Sequence, residues 1–411
     1  MKKTKYELRR PPSCGCLDFV EASHQNKVYP LMYCHLEVKG AFDIDRLKKA
    51  IQFSFQFVPE ILCAYDFNHG YFVEKKFTVD DIIILNDRDL ENSPKWDLSQ
   101  NPQLKIAIHN DGLMNFIFIG MSHILTDGEG FLQYLYLLAA LYNGDTMCHH
   151  LSNHRDISPC LESIHVQQQT EQTKHGKRKK VPPLRTWSNG KEYICINNQI
   201  SSKDFQRLQE KSKAHNVTLN DAFMTAYARV IARLQDIDTV ILPCPADLRR
   251  FHRLSDSLTI ANMTGIYRRI TIEIVPQHTF RETLLQTHIE MELQKKRYRC
   301  FAGIQLLNHT FHKTPHPIMK QIIKANYRLL PVSYTNIGRI DHEKLLFQNC
   351  IIENCYITGT YRLTPDFQLS ISTFQNVCTL NCTLIGKPED YATGKNILEQ
   401  IKQELLQWVN D

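Results

Sequence analysis

The chain has 411 residues, 43% of them hydrophobic, so it is too long to stay unfolded and we expect two domains rather than one core. Charged residues at 22% and aromatic residues at 10% exclude disordered, collagen-like and low-complexity proteins. A net charge of +6 over this length is too small an excess to predict a nucleic-acid partner.

The cysteine pattern and the apolar stretches predict a cytoplasmic protein. The 13 cysteines, an odd number without a repeating framework, exclude a fully paired secreted scaffold and fit a reducing compartment better. No apolar stretch follows the basic start MKKTKYELRRPP, so we expect no secretory signal. The densest apolar stretch, residues 131–142, is about half the roughly 20 residues of a membrane-spanning helix, so no membrane span is predicted.

The first elements in chain order are a strand and a helix. Residues 31–38 (LMYCHLEV) favour a strand, and Gly40 supplies the turn after it. Either Asp43 or Asp45 can cap the helix that follows, and Pro59 ends it. The chain therefore opens with a βα unit.

A hairpin and an apolar helix come next. Residues 103–109 alternate in polarity, Asn110-Asp111-Gly112 reverses the chain, and residues 113–121 return as a second strand. The apolar helix spans residues 127–142 and ends at Asn143-Gly144, an amide-plus-glycine stop.

The pattern dissolves between residues 145 and 185, around a basic run at residues 174–180. This composition predicts an exposed linker, and the run is either solvated loop or a contact for nucleic acid, a phosphate-rich cofactor or an acidic carrier protein. Regular elements resume beyond it. The predicted helices are 202–213, 218–234, one starting at 279 and 398–409, and the predicted strands are 240–243, 267–274, 330–334, 350–358 and 369–373.

These elements predict two similar α+β halves. The N-terminal half comprises residues 1–150, the exposed basic linker residues 151–185, and the C-terminal half residues 186–411.

One segment carries residues suited to chemistry. His123 ends a predicted strand, and Asp127-Gly128 follows at the start of a helix. A histidine on such a turn can present one ring nitrogen to a cleft while backbone contacts hold the other, as general-base chemistry on a hydroxyl or amine requires. Asp127 fits a structural ion pair, and Gly128 would let the backbone turn tightly. A lone histidine after a strand is more often an ordinary core or surface residue.

His123, Asp127 and Gly128 form an HxxxDG motif, and other segments match in order over about residues 17–369. With these matches the sequence resembles the condensation-domain and CoA-dependent acyltransferase superfamily. That superfamily includes nonribosomal peptide condensation domains, polyketide-associated acyltransferases, alcohol acetyltransferases and plant acyltransferases. The other matching segments are 40–47 (GAFDIDRL), 96–99 (WDLS), 219–222 (LNDA), 245–249 (PADLR), 261–265 (ANMTG) and 332–338 (VSYTNIG).

The resemblance implies an α/β fold of two chloramphenicol-acetyltransferase-like subdomains, each an α+β two-layer sandwich, with an active-site tunnel between them. It implies a freestanding acyltransferase, either an alcohol acetyltransferase or a condensation-like protein. The acyl group would pass from an acyl-CoA or acyl-carrier-protein thioester to a small-molecule alcohol or amine. The thioester is a co-substrate, no cofactor is bound permanently, and a carrier-bound donor would make the carrier protein a partner.

The resemblance also implies roles for single residues. His123 would be the catalytic base or would orient the acceptor. Asp127 and Gly128 would hold its loop, Asp127 by pairing with an arginine, for which Arg249 is the candidate. Ser333, Asn336 and Gly338 would line the donor's path.

Some features depart from the family or leave alternatives open. No DFGWG stretch is present, which argues against the plant branch. Ser122 replaces the second histidine of many condensation domains, so acyl transfer in general is a better prediction than peptide-bond synthesis. Arg250 and Arg253 lie close enough in sequence to be the paired arginine instead, and Asn336 and Gly338 could be a plain turn. The alternative to an enzyme is a non-catalytic binding or scaffold protein with the same fold.

A group of possible metal ligands lies in the predicted linker. The residues are Cys148, His149, His150, His154 and Cys160. Their spacing fits no common zinc pattern, so we predict no metal site.

Overall fold

A computed structural model describes residues 14–85, 96–145, 150–164, 181–252, 257–311 and 313–411. The helices in these ranges are α1 (Cys16–Ser23), α2 (Ile44–Ser54), α3 (Gly128–Tyr142), α4 (Ser158–Glu162), α5 (Ser202–Ala214), α6 (Leu219–Gln235), α7 (Phe280–Lys296), α8 (Ile304–Phe311), α9 (His316–Asn326) and α10 (Glu389–Asn410). The strands are β1 (Val28–Tyr29), β2 (Leu31–Gly40), β3 (Cys63–Asp66), β4 (Tyr71–Glu74), β5 (Ile83–Leu85), β6 (Leu104–Asn110), β7 (Asn115–Ser122), β8 (Ser152–Asn153), β9 (Glu192–Ile200), β10 (Thr239–Asp247), β11 (Ser257–Leu258), β12 (Thr264–Glu273), β13 (Val332–Ile340), β14 (Cys350–Ile357), β15 (Tyr361–Leu363), β16 (Phe367–Phe374) and β17 (Val377–Gly386).

Local sequence signals explain where several helices begin. The Asp43 carboxylate accepts a hydrogen bond from the Arg46 amide at 3.0 Å, so Asp43 rather than Asp45 caps α2. Capping boxes start α6 and α7, as predicted. In contrast, α10 begins at Glu389, well before the predicted residue 398.

The N-terminal half forms a sheet with the strand order β14-β2-β7-β6-β5. The predicted hairpin is confirmed, because β6 and β7 pair antiparallel from Leu104 opposite Met121 to Asn110 opposite Asn115. Apolar side chains of α2 and α3 share one buried core with these strands. The sheet thus holds the end of β7, where His123 follows, against a helical layer.

The C-terminal half forms a second sheet around β17. One edge of β17 pairs with β9, and the other edge pairs with β16 and β15 at successive positions along its length. β13 continues the sheet by pairing parallel to β16. Helices α5, α6, α7 and α10 share a second buried core with this sheet. Two sheets, each with its own helical layer, confirm the predicted α/β fold of two α+β sandwiches.

Each sheet takes one strand from the opposite half of the chain. β14, within the predicted C-terminal half, pairs with β2, while β1 of the N-terminal half pairs with β15. Sheet membership therefore does not follow the division into residues 1–150 and 186–411. As units of folding, these ranges stay a prediction.

Part of the predicted linker is packed against the protein. Cys160 and Leu161, in α4, are 2% and 5% exposed. Arg185 is 2% exposed, and its Nε donates to the Asp390 carboxylate at 3.1 Å. Buried apolar contacts and a buried ion pair hold these three residues, whereas residues 152, 154, 156, 162, 163 and 181–183 are exposed, so the linker as a whole stays a prediction. The basic run 174–180 lies outside the described residues.

Candidate active site

The loop after β7 has the predicted strand–turn–helix form. The His123 amide donates to the Pro30 carbonyl at 2.9 Å, which continues the pairing of β2 with β7 by one residue. The amides of Leu125 and Thr126 both donate to the Ser122 carbonyl, at 3.0 and 3.2 Å. These bonds close the turn and deliver the chain to α3.

Asp127 joins the start of α3 to the C-terminal half. As the N-cap of α3, its Oδ1 accepts from the Gly130 amide at 2.9 Å. Its Oδ2 accepts from the Met263 amide and from the Thr264 hydroxyl, each at 2.8 Å. The residue is 2% exposed, so this carboxylate is a buried anchor and does not face solvent.

Arg249 is the arginine that pairs with Asp127. Its Nη1 and Nη2 donate to the two Asp127 carboxylate oxygens, each at 3.0 Å, in a bidentate arrangement. Nη1 also reaches Asp247 at 2.9 Å, and Nη2 reaches the Ala261 carbonyl at 2.9 Å. The alternative Arg250 is exposed, and Arg253 lies outside the described residues.

The charge of Arg249 sets the ionisation of Asp127. Burial by itself would raise the pKa of the Asp127 carboxyl, since burial disfavours the charged form. The positive charge and hydrogen bonds of Arg249, with the amides of Gly130 and Met263, outweigh burial and lower this pKa below its ordinary value. Asp127 is therefore ionised at neutral pH, and its structural role at the site stays a prediction.

Glycine is required at position 128 for a different reason from the predicted tight turn. No left-handed backbone angle occurs at this residue, so the turn itself does not require glycine. A Cβ at Gly128 would instead lie 2.8 Å from Cδ1 of Ile337, in the segment predicted to line the donor's path. Glycine thus permits a close approach between the start of α3 and β13.

The His123 ring does not have the predicted backbone support. Its Nδ1 is buried and has no hydrogen-bond partner among the described residues. The main chain carries the support instead, through the bond to Pro30 and through Asn262, whose Nδ2 donates to the His123 carbonyl at 2.9 Å. The loop is therefore held by its backbone.

A buried network behind the loop, which the sequence did not reveal, includes Asp18, Arg155 and Asn262. Asn262 also contacts the Ile124 carbonyl at 3.0 Å, and Arg155 donates to the Leu125 carbonyl at 2.8 Å. Asp18 binds both side chains, accepting from Arg155 at 2.9 Å and from Asn262 at 2.8 Å.

Only one member of this network lay in a segment that the sequence had marked. Asn262 belongs to the matched segment 261–265, whereas Asp18 and Arg155 lay in no motif, and Arg155 fell in the predicted linker. Burial raises the pKa of Asp18, with Arg155 and Asn262 acting against the rise. Together with Asn262, these residues fix the carbonyls of three consecutive loop positions, 123 to 125.

A cavity of about 2160 Å³ connects the predicted site residues. His123, Asp127 and Gly128 line it, together with Ser333, Asn336 and Gly338. Arg249 stands behind the wall rather than in it.

The segment 333–338 is a bulged part of β13 and not the turn or loop considered from the sequence. The pairing of β13 with β16 shifts between Asn336 and Gly338, and Gly338 has a φ of 87°. No atom lies within 4 Å of a Cβ built at Gly338, so this position faces open space in the cavity.

The structure describes part of the candidate metal cluster. Cys148 and His149 lie outside the described residues. Within the described ranges, no three His, Cys, Asp or Glu side chains are grouped closely enough to hold an ion. In the same ranges, no helix is long and apolar enough to cross a membrane.

Comparison with solved structures identifies the class of fold, which is that of condensation domains. Polyketide synthase associated protein 5 from Mycobacterium tuberculosis matches over 98% of both chains, with a TM-score of 0.68 and 13% identity. The first condensation domain of the CDA synthetase matches over 98% of this chain and 97% of its own, with a TM-score of 0.67 and 13% identity. The epimerization domain from the third module of tyrocidine synthetase B covers 98% of both chains at a TM-score of 0.62 and 11% identity.

These similarities are structural and do not extend to sequence. No protein-family model matches the chain, and no curated protein matches it by sequence. The predicted resemblance is confirmed as a shared fold, and the roles of single residues stay predictions.

Proposed function

We propose that the protein is an acyltransferase that moves an acyl group from a CoA or carrier-protein thioester to a hydroxyl or amine. The observation that carries this proposal is the placement of His123. It lies on a loop braced on both sides by buried ion pairs and lines a cavity large enough for two substrates. A braced histidine at a cavity wall is the arrangement that proton transfer to or from a bound substrate requires.

In the proposed reaction, the acceptor hydroxyl or amine attacks the thioester carbonyl carbon. His123 takes the proton that the acceptor loses, the new ester or amide bond forms, and the C–S bond breaks. The proton then passes to the departing thiolate. Ser333, Asn336 and Gly338 would line the path of the thioester arm, because a bulged strand with small side chains leaves open space beside His123. No step requires a permanently bound cofactor.

Product analysis tests this function directly. The full chain is incubated with a panel of acyl-CoAs and a cell extract, and mass spectrometry searches for acylated products. We expect a product whose formation falls about 10²- to 10⁴-fold in His123→Ala, the usual contribution of a positioned acid–base group.

The matched control is His154→Ala, which alters an exposed histidine that does not line the cavity. We expect this variant to keep the parent rate. Equal rates for the parent and His123→Ala would contradict the role of His123. Binding of acyl-CoA without any product from CoA or carrier donors would favour the non-catalytic binding or scaffold protein instead.

A further inference from the structure

Arg362 is a buried arginine in the wall of the same cavity. It lies on β15 opposite Val28 of β1, and both residues line the cavity. Pro30, two residues beyond Val28, accepts the hydrogen bond of the His123 amide. Val28, the partner of Arg362, therefore lies only two positions along the chain from Pro30, the partner of His123.

The guanidinium of Arg362 is incompletely satisfied by protein. The residue is 7% exposed, and its Nε donates to Oε1 of Gln368 at 3.2 Å. Its Nη1 is buried and has no hydrogen-bond partner among the described residues. An arginine stays charged in a protein, so a buried guanidinium nitrogen without a partner is costly unless a ligand satisfies it.

A second polar group beside Arg362 is also unpaired. Nε2 of His24 is buried without a partner among the residues that the structure describes, and His24 lines the cavity. Burial lowers the pKa of His24, and the positive charge of Arg362 contributes to the lowering. Thr360 and Gln368 add polar atoms to the same part of the wall. This part of the cavity wall thus carries the positive charge of Arg362 and two nitrogens that are unpaired within the described residues, with the carboxylate of Glu21 also lining the cavity.

We propose that Arg362 binds a carboxylate of a substrate in the cavity. A guanidinium fork matches the two oxygens of a carboxylate, and binding in a buried wall strengthens the contact. Burial lowers the pKa of Arg362, while the nearby negative charges of Asp366 and Glu21 favour its charged form. Those two charges make a doubly charged phosphate less favourable there than a singly charged carboxylate.

This inference rests on the proposed function in one respect, namely that the ligand is a substrate. The carboxylate has two possible sources, the acceptor or the far end of a dicarboxylic acyl group. Both present the same chemistry to Arg362, and they can be separated by experiment.

Binding of octanoate and octanamide to the full chain tests the site without turnover. The two probes share one apolar chain and differ in charge, and calorimetry measures their dissociation constants. We expect octanoate to bind at least about tenfold more tightly than octanamide, as for a charge-assisted hydrogen bond. Arg362→Gln should remove this difference, and Arg362→Lys should retain part of it because it keeps the charge without the fork.

Arg250→Gln is the matched control, since Arg250 is an exposed arginine that lines the same cavity. Equal binding of the two probes to the parent would overturn the proposal without any variant having to fold. An equal loss in Arg250→Gln and Arg362→Gln would also overturn it, because binding would then reflect overall charge. Inorganic phosphate that binds through Arg362 more tightly than octanoate would overturn the choice of a carboxylate.

Two further arms locate the carboxylate and separate this proposal from the proposed function. The first arm measures transfer from succinyl-CoA and from butyryl-CoA. If Arg362→Gln raises the KM for succinyl-CoA but not the KM for butyryl-CoA, the carboxylate belongs to the acyl group. The same dependence for hydroxy-acid acceptors would assign it to the acceptor. His123→Ala should bind octanoate as tightly as the parent does. If the parent binds octanoate but transfers no acyl group, the proposed function is refuted and the carboxylate site stands.

Discussion

Removal of Asp127 should destabilise the protein through the arginine that it leaves behind. Arg249 is 9% exposed, so Asp127→Ala leaves a buried guanidinium without its bidentate partner. Breaking a buried pair costs about 3–5 kcal/mol. Asp247 remains 2.9 Å from Arg249 and offsets part of the loss, so we expect the lower end, about 3 kcal/mol.

Guanidinium denaturation of Asp127→Ala, Arg249→Ala and the double variant measures the coupling between the two residues. We expect the double variant to be more stable than additivity predicts, by about 1–3 kcal/mol. The control Arg250→Ala changes an exposed neighbour and should stay within about 0.5 kcal/mol of the parent. A coupling energy below about 0.5 kcal/mol would refute the reasoning, because the observed ion pair would then contribute nothing specific.

The lowered pKa of Asp127 also predicts how the stability difference between the parent and Asp127→Ala changes with pH. The pKa of Asp127 is lower in the folded protein than the value of about 3.9 of an unfolded aspartate. Its stabilising contribution is therefore complete above pH 3.9 and is lost as the pH falls through the folded pKa. The stability difference between the parent and Asp127→Ala should be constant from about pH 5 to 7 and shrink at more acidic pH. A difference that persists unchanged to about pH 2 would contradict the ionised carboxylate.

Three further predictions concern the loop, the donor's path and the chain connection. Asn262→Ala should lower kcat by about 10- to 100-fold with little change in KM, because small displacements of a reacting group are costly. Asn308→Ala, which removes a hydrogen bond to Ser158 away from the cavity wall, should leave both constants unchanged. A change in KM alone would contradict a positioning role at His123. Gly338→Trp should raise the KM for the donor more than for the acceptor, and Gly338→Ala, which shares the unfavourable φ of 87° without the bulk, is its control. Trypsin should cut within residues 174–180, and the two fragments should stay associated because β1 and β14 each pair with a strand of the opposite half. Separation of the fragments on a sizing column would refute this prediction.

Local signals determined most of the elements. Alternating apolar residues and an Asn-Asp-Gly turn were enough for the β6–β7 hairpin, and a Thr with an acidic residue three positions later was enough for the start of α6. These signals act within one or two turns of chain, so a single sequence contains them completely. The position of His123 between a strand and a helix followed from the same kind of information.

The sequence also named partners that only the fold could bring together. It offered Arg249, Arg250 and Arg253 for Asp127, and the structure selects Arg249, which lies 122 residues away in the chain. Local pattern cannot make this choice, because it depends on how the 3₁₀ turn of residues 248–251, after β10, directs the Arg249 side chain toward the buried start of α3.

Tertiary structure alone decided how the loop is supported and how the sheets are composed. Asn262 reaches the His123 carbonyl across 139 residues, and Arg155 came from a segment whose composition resembled a linker. β14 joins the N-terminal sheet because its apolar face completes that core, although its place in the chain suggested the other half. Such contacts depend on which buried surfaces meet, and the free energy of burial is a property of the assembled core rather than of any short segment.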